Sequence, residues 1–137
     1  MVRLPAEALA EFYRTRERDS LRTFYEFPVV WHEARYGFAV KEGDDIVAAG
    51  TLNVAASLGA VERLVVDAEH RRKGYGRAIL SEMADVASYY NCHKMTVMVP
   101  HLRGAQRFLE ACGYGVEAVL AQHTFKLDMA LMRKYLL

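Results

Sequence analysis

A basic, glycine-containing loop between a predicted strand and a predicted helix constrains this fold more than any other feature. The loop is HRRKGYGR, residues 70–77, and five of its eight residues can carry a positive charge. The apolar stretch before it, residues 60–66, is typical of a strand, and apolar residues after it recur every three or four positions up to about residue 90, which predicts an amphipathic helix. A second apolar strand at residues 94–99 follows, so the segment 60–99 predicts a right-handed strand–helix–strand crossover.

Further helices and strands are predicted on both sides of this crossover. A helical pattern opens at Leu4-Pro5, and Asp19 or Ser20 can cap a second short helix that ends before Pro28. The remaining predicted elements are, in chain order, strands at 36–42 and 46–54, a helix at about 102–112, and strands at about 115–121 and 124–132. This order predicts an α/β (α+β) fold with a mixed sheet, arranged as one domain over residues 1–137.

Composition narrows the class of protein. Hydrophobic residues make up 53% of the 137 residues and no apolar run approaches the roughly 18 that a membrane helix needs, so we expect a protein without a membrane partner. The first residues show no apolar signal core, which predicts a cytoplasmic location. The spacing of Cys92 and Cys112, and of the histidines, matches no metal site, so no metal is expected. The methionines at 83, 95, 98, 129 and 132 are expected in the core.

The charge balance favours a compact anion over a polymer as the ligand of the basic loop. The net charge is only +1, from 18 Lys and Arg against 17 Asp and Glu, whereas a nucleic-acid-binding protein usually has a larger basic excess. A helix N-terminus offers unpaired N–H groups and partial positive charge, and Gly74 and Gly76 leave the backbone open to an anion. A Walker loop is absent, and the third glycine of a dinucleotide fingerprint is missing.

The sequence resembles the GNAT superfamily of N-acetyltransferases. Arg71-Arg72-Lys73-Gly74-Tyr75-Gly76 matches the superfamily's pyrophosphate-binding signature R-x-x-G-x-G without a gap, within ERLVVDAEHRRKGYGRAILSEMADVASYYNC, which resembles the central motif. VPHLRGAQRFLEACGY resembles the second motif and TFKLDMALMRKYL the last strand, so the resemblance covers roughly residues 36–132. It implies a mixed sheet of six to seven strands that splays between the strands at 60–66 and 94–99, with about four helices.

The resemblance also implies where acetyl-CoA binds. The cosubstrate would lie in the gap between the splayed strands, with its pyrophosphate on the backbone N–H groups of the loop and its pantetheine amides along the first strand. One strand N–H would polarise the thioester carbonyl. The implied binding residues are Leu64, Val65, Val66, Arg71, Arg72, Lys73, Gly74, Tyr75, Gly76 and Arg77.

The implied catalytic groups match the superfamily pattern only in part. Glu62 stands where many members carry a general base, and its other interpretation is a strand residue paired with a basic side chain. Leu109 stands where the acid tyrosine is usual, and Leu102 where an asparagine is usual. Candidate substitutes for the acid are Tyr75, Tyr89, Tyr90, Tyr114 and Cys112, or the thiolate leaves without an acid.

Three functional hypotheses follow. The first is transfer of an acetyl group from acetyl-CoA to a primary amine of an unidentified acceptor, with Trp31, His32, Glu33 and Arg35 in the region that would line the acceptor pocket. The second is a non-catalytic acyl-CoA-binding or sensing module, which Leu109 favours. The third, a nucleotide- or RNA-binding domain, is disfavoured by the net charge and by the missing aromatic stacking motif. The apolar residues at 130–132 and 135–137 are compatible with a homodimer.

Overall fold

The computed structural model describes residues 1–136. It contains two compact units, Met1–His32 and a second that begins at Glu33. Leu137, the last residue of the apolar tail considered for a homodimer, lies outside the described residues. Within residues 1–136 no helix combines the length and the apolar character that crossing a membrane requires. One domain over residues 1–137 stays a prediction.

The first unit contains a short 3-10 helix, Ala6–Leu9, followed by helix α1, Ala10–Tyr25. The prediction of two helices separated near Asp19-Ser20 is wrong, because α1 runs through this point. Neither glycine nor proline interrupts residues 10–25, and Asp or Ser inside a helix costs only a few tenths of a kcal/mol. The helix ends at Glu26, whose φ of 63° places it in the left-handed region.

The second unit is a six-stranded mixed sheet with two α-helices and a 3-10 turn at Ala68–His70. Its elements are β1 Glu33–Glu42, β2 Asp45–Ala55, β3 Leu58–Val66, α2 Tyr75–Tyr89, β4 Lys94–Pro100, α3 Gly104–Ala111, β5 Gly115–Thr124 and β6 Leu127–Tyr135. The strand order is β1-β2-β3-β4-β6-β5. The predicted mixed sheet is confirmed, with three described α-helices instead of about four because the first two predicted helices are one.

Two predicted boundaries shift for local backbone reasons. The last strand begins at Leu127 instead of residue 124, since Phe125 and Lys126 form a turn with φ of 51° and 61°. Helix α3 begins at Gly104, because Leu102 also lies in the left-handed region, with φ of 58°.

The pairing of β3 with β4 creates the functional geometry of the sheet. All other neighbouring strands are antiparallel, whereas β3 and β4 are parallel and pair only through Leu58–Lys94, Gly59–Met95 and Ala60–Thr96. Beyond these three pairs both strands continue, to Val66 and to Pro100, without pairing with each other. The predicted splay is therefore confirmed.

The core lies where α2 packs on the sheet. Its largest fully buried side chains are Leu52, Met83, Met95 and Met132. Met129 is also buried, so four of the five methionines expected in the core are there. Met98 is 41% exposed and lines the gap between β3 and β4, so its assignment to the core is wrong. Met98 lies beyond Thr96, the last residue of β4 that pairs with β3, so no β3 residue covers it.

Candidate active site

A cleft of about 930 Å³ opens where β3 and β4 separate. Its walls come from β3, β4, α3 and the basic loop that leads into α2. It is lined by Val61, Glu62, Arg63, Leu64, Val65, Val66, Arg71, Arg72, Gly74, Tyr75, Gly76, Arg77, Val97, Met98, Val99, Ala105, Phe108 and Leu109. The structure thus brings Glu62 and all the predicted binding residues except Lys73 to one cleft.

A β-bulge in β3 changes the direction of the side chains that enter the cleft. Thr51 of β2 pairs with Arg63 and Leu52 pairs with Val61, so Glu62 is the extra residue without a partner on β2. Val61 is buried in the core while Glu62 is exposed. After the bulge, Leu64 and Val66 pack against the core and Val65 is 64% exposed. The bulge therefore places Glu62 at the point where β3 leaves β4.

The loop before α2 has the backbone of an anion-binding turn. Gly74 is the N-cap of α2 with φ of 82°, and Arg72 also has a positive φ, 63°. The first N–H groups of a helix have no intrahelical acceptor, and no side chain caps this helix. Among the described backbone hydrogen bonds of loops and turns, none uses an N–H of residues 71–74. The loop thus has N–H groups without a backbone acceptor next to the positive end of the α2 dipole.

Gly76, which lines the cleft, also has a packing role that the sequence does not predict. A Cβ at this position would lie 3.1 Å from Phe108 Cζ and 3.6 Å from Val66 Cγ2. A Cβ at Gly74, in contrast, would have no atom within 4 Å. Gly76 therefore lets the start of α2 pack against α3, whereas the positive φ explains the glycine at 74.

The basic side chains of the loop have different partners. Arg71 Nε donates to the Val66 carbonyl oxygen at 3.2 Å, and Arg77 Nη2 donates to the Ala111 carbonyl oxygen at 3.2 Å. Lys73 Nζ lies 3.1 Å from Glu42 Oε1 and does not line the cleft. Within residues 1–136, no hydrogen bond or ion pair engages the Arg72 side chain, which lines the cleft and remains available to an anion.

Glu42, at the end of β1, was missed by sequence reasoning and contacts three residues of the loop segment. Tyr75 Oη donates to Glu42 Oε1 at 2.5 Å, Lys73 Nζ donates to the same oxygen, and His70 Nε2 lies 2.8 Å from Oε2. These hydrogen bonds lower the pKa of Glu42, and the bond from Tyr75 has a larger effect than the bond from Lys73. The same bond raises the pKa of Tyr75. No local pattern signals this cluster, since Glu42 precedes Tyr75 by 33 residues.

Glu62 forms an ion pair with Arg35 of β1. Arg35 Nε lies 3.0 Å from Glu62 Oε2 and 3.2 Å from Oε1, and Arg35 Nη2 lies 3.3 Å from Glu33 Oε1. The hydrogen bond to Glu62 raises the pKa of Arg35. Asn53 Nδ2 donates to Glu33 Oε1 at 3.1 Å. Of the residues predicted for an acceptor pocket, Glu33 and Arg35 thus join Glu62 in one polar cluster, while Trp31 and His32 belong to the first unit.

Leu109 lines the cleft and is buried, so the usual position of the acid holds an apolar side chain. Tyr114 is buried with its hydroxyl 3.8 Å from Met95 Sδ, and burial raises its pKa to about 12. Cys112 is buried in the core, and Tyr90 stacks on Tyr36 at the end of α2. Among the substitutes considered, which also include the exposed Tyr89, only Tyr75 lines the cleft.

A buried glutamine shapes the entry to α3 and was also missed by sequence reasoning. Gln106 Oε1 accepts a hydrogen bond from the Leu102 N–H at 2.8 Å and lies 3.0 Å from His101 Nδ1. Gln106 is 5% exposed, and a buried amide of this kind is normally fully hydrogen-bonded. Leu102, which stands where the superfamily pattern usually has an asparagine, therefore has a left-handed backbone, and its N–H is hydrogen-bonded to Gln106 in the next turn.

Several known structures have a similar fold. The fold is similar to an acetyltransferase from Bacillus cereus, with a TM-score of 0.78 and 18% identity over 99% of this chain and 97% of that one. It is also similar to an aminoglycoside 6'-N-acetyltransferase complexed with coenzyme A (TM-score 0.69, 14% identity, 75% of this chain and 73% of that one). A third similar structure is spermidine N-acetyltransferase from Vibrio cholerae in complex with CoA and spermine (TM-score 0.66, 19% identity, 98% of this chain and 77% of that one).

No curated protein matches the sequence. The model of the acetyltransferase (GNAT) family, however, matches residues 2–114. The chain therefore belongs to the GNAT family of acetyltransferases.

Proposed function

We propose that this acetyltransferase transfers the acetyl group of acetyl-CoA to a primary amine by direct transfer in a ternary complex. The observation that carries the proposal is that one cleft contains both a helix N-terminus with unpaired N–H groups and the carboxylate of Glu62, which lies at the β3 bulge. Two similar structures, the aminoglycoside and the spermidine N-acetyltransferase, contain CoA, which supports CoA as the carrier.

The cleft offers binding groups for two parts of CoA. The N–H groups of the loop and the first turn of α2 suit the pyrophosphate, and the Arg72 guanidinium suits its remaining charge. Residues 64–66 of β3 pair with β2 on one side and have no β4 partner on the other. The amides of pantetheine can add to this strand as a further strand would. Lys73 would need to leave Glu42 to reach a phosphate.

The chemistry is the attack of an amine nitrogen on the thioester carbonyl carbon. An alkyl amine with a pKa near 10 is mostly protonated at neutral pH, so Glu62 must accept a proton, directly or through water, before the attack. The new C–N bond forms as the C–S bond breaks, and the electron pair of the C–S bond leaves on the CoA sulfur. The second proton that the attacking nitrogen must lose passes to water, which gives the neutral amide. A strand N–H at the thioester oxygen stabilises the charge that develops there.

Two residues set conditions on this reaction. Glu62 holds Arg35 in the free protein, so the incoming ammonium group must replace or share that partner. Leu109 cannot donate a proton, and the thiolate leaves unprotonated, which a thiol pKa of about 8.5 permits. The buried Leu109 is also the observation that favours the second candidate function, a non-catalytic acyl-CoA-binding module.

The test separates the two candidates by turnover. Calorimetric titration of acetyl-CoA should show binding that Arg72→Ala weakens by about tenfold, the loss of one charge-assisted contact, while Arg107→Ala on α3 has no such effect. Free thiol should then appear when acetyl-CoA is incubated with one member of a panel of primary amines. Binding without thiol release for any amine would support the non-catalytic module, and no binding at millimolar acetyl-CoA would refute both.

A homodimer, the cytoplasmic location and the lack of nucleic-acid partners stay predictions.

A further inference from the structure

We propose that Glu42 is a positioning residue that holds the basic loop in its anion-binding conformation. The inference rests on the proposed function for the identity of the anion, the CoA pyrophosphate. Glu42 does not line the cleft, and it acts through the loop residues to which its carboxylate is hydrogen-bonded.

Glu42 is itself held by the sheet. It is the last residue of β1 and pairs with Asp45, the first residue of β2, across a tight turn that contains Gly43 with φ of 63°. The carboxylate is therefore attached to a hairpin of the sheet, whereas its partners Lys73 and Tyr75 lie in the loop and the first turn of α2. A side chain on such a rigid element can fix the conformation of a loop that has few hydrogen bonds of its own.

The loop needs such support because its backbone bonds are few and its conformation is strained. Among the described residues, no backbone hydrogen bond is donated by the N–H groups of residues 71–74. Arg72 is a non-glycine residue in the left-handed region, a conformation that costs about 1–2 kcal/mol and persists only where the surroundings enforce it. Lys73 and Tyr75, which flank Gly74, are both bonded to the same Glu42 oxygen.

A third contact extends the anchor to the start of the loop. His70 places Nε2 2.8 Å from Glu42 Oε2 and Nδ1 2.7 Å from Asp67 Oδ2. Asp67 follows the end of β3, and His70 precedes Arg71 and Arg72. Glu42 therefore fixes the loop on both sides of its two left-handed residues, Arg72 and Gly74.

Charge alone predicts the opposite effect from positioning, which makes the inference testable. A carboxylate close to an anion site repels the anion, so removing the charge should strengthen CoA binding if electrostatics were the whole effect. If Glu42 positions the loop, removing its charge-assisted hydrogen bonds should weaken CoA binding instead.

The experiment compares Glu42→Gln with Glu69→Gln by calorimetric titration of CoA. Glu69 lies in the 3-10 turn before the loop, carries the same charge and makes no described contact, so Glu69→Gln removes the charge without removing an anchor. We expect Glu42→Gln to raise the Kd of CoA by about tenfold and Glu69→Gln to leave it unchanged or lower it slightly. Tyr75→Phe, which removes one of the bonds to Glu42, should raise the Kd by a smaller factor. Binding by Glu42→Gln as tight as that of the native protein, or tighter, would overturn the inference.

A second readout does not depend on CoA. Hydrogen exchange of the Ala78 amide, which donates to the Gly74 carbonyl oxygen at 3.0 Å, should be several-fold faster in the free Glu42→Gln protein, while amides of β6 should exchange at native rates. If the native protein fails to bind CoA, the proposed function fails, and the exchange rates still decide whether Glu42 orders the loop. Unchanged exchange of the Ala78 amide would overturn the inference even if CoA binds. With a turnover assay in place, Glu42→Gln should raise the KM for acetyl-CoA by a larger factor than it lowers kcat.

Discussion

A side chain at Gly50 would occupy the space of Met83. A Cβ built on Gly50 of β2 would lie 2.5 Å from Met83 Cε and 3.0 Å from Ile79 Cγ2, both on α2. It would also lie 3.1 Å from the Arg63 carbonyl oxygen, which is backbone next to the β3 bulge. Gly50 thus allows α2, which starts at the basic loop, to pack directly on β2. This strand is the neighbour of β3, which carries Glu62.

Gly50→Ala should therefore destabilise the protein. Met83 can move its terminal methyl group, but the Arg63 backbone can shift only by disturbing the bulge, so we expect a loss of about 1–3 kcal/mol in the free energy of unfolding. Gly37→Ala in β1 is the matched control, since a Cβ there has no atom within 4 Å, and it should change stability by less than about 0.5 kcal/mol. Urea unfolding measures both, and equal stability of the two variants would contradict the packing argument.

Glu62→Gln should abolish proton acceptance at the bulge without disturbing CoA binding. We expect kcat/KM for the amine to fall about 10²–10⁴-fold, the usual contribution of a general base, with an unchanged Kd for acetyl-CoA. Glu117→Gln is the matched control, because Glu117 is also a strand glutamate in an ion pair, with Lys94 at 2.7 Å. Turnover of Glu62→Gln at the native rate would show that another group deprotonates the amine.

Gly74→Ala should weaken CoA binding through the backbone. An alanine at φ of 82° carries about 1–2 kcal/mol of strain although space is available for its Cβ. Relief of that strain would move the N–H groups of the loop, so the Kd of CoA should rise about tenfold. Gly104→Ala, at the first residue of α3 and without a left-handed φ, should leave the Kd unchanged and the stability equal or higher. An unaltered Kd in Gly74→Ala would contradict the anion-binding geometry.

The buried Tyr114 should make stability fall at high pH. Its pKa is raised from 10.0 to about 12 in the folded protein, so between these pH values the folded state retains a proton that the unfolded state has lost. The stabilisation is complete below pH 10 and is lost as pH rises through 12, with a total of about 3 kcal/mol. Tyr114→Phe should lower this loss, which urea unfolding at pH 9.5 and 11.5 can measure. An equal loss in the variant would show that Tyr114 does not titrate in this range.

The elements whose signals are local were predictable. The sequence predicts a helix after the basic loop up to about residue 90, and the structure has it at Tyr75–Tyr89, because its apolar residues face one side at helical spacing. The separation of the strands at 60–66 and 94–99 was expected from the family resemblance and is observed. The break near Asp19-Ser20 was not observed, since a weak capping signal loses to the continuous hydrogen bonding of a 16-residue helix.

The loop HRRKGYGR, its place between a strand and a helix, and Glu62 on the preceding strand could all be predicted from the sequence, because these features depend on neighbours along the chain. The folded sheet, in contrast, brings Lys73 and Tyr75 to Glu42, 31 and 33 residues earlier, and brings Glu62 to Arg35, 27 residues earlier. Such pairs depend on strand register and on the β3 bulge, which shift facing side chains by one residue. The number of residues between two positions does not predict that register, so the partners of the charged side chains could be identified only from the folded sheet.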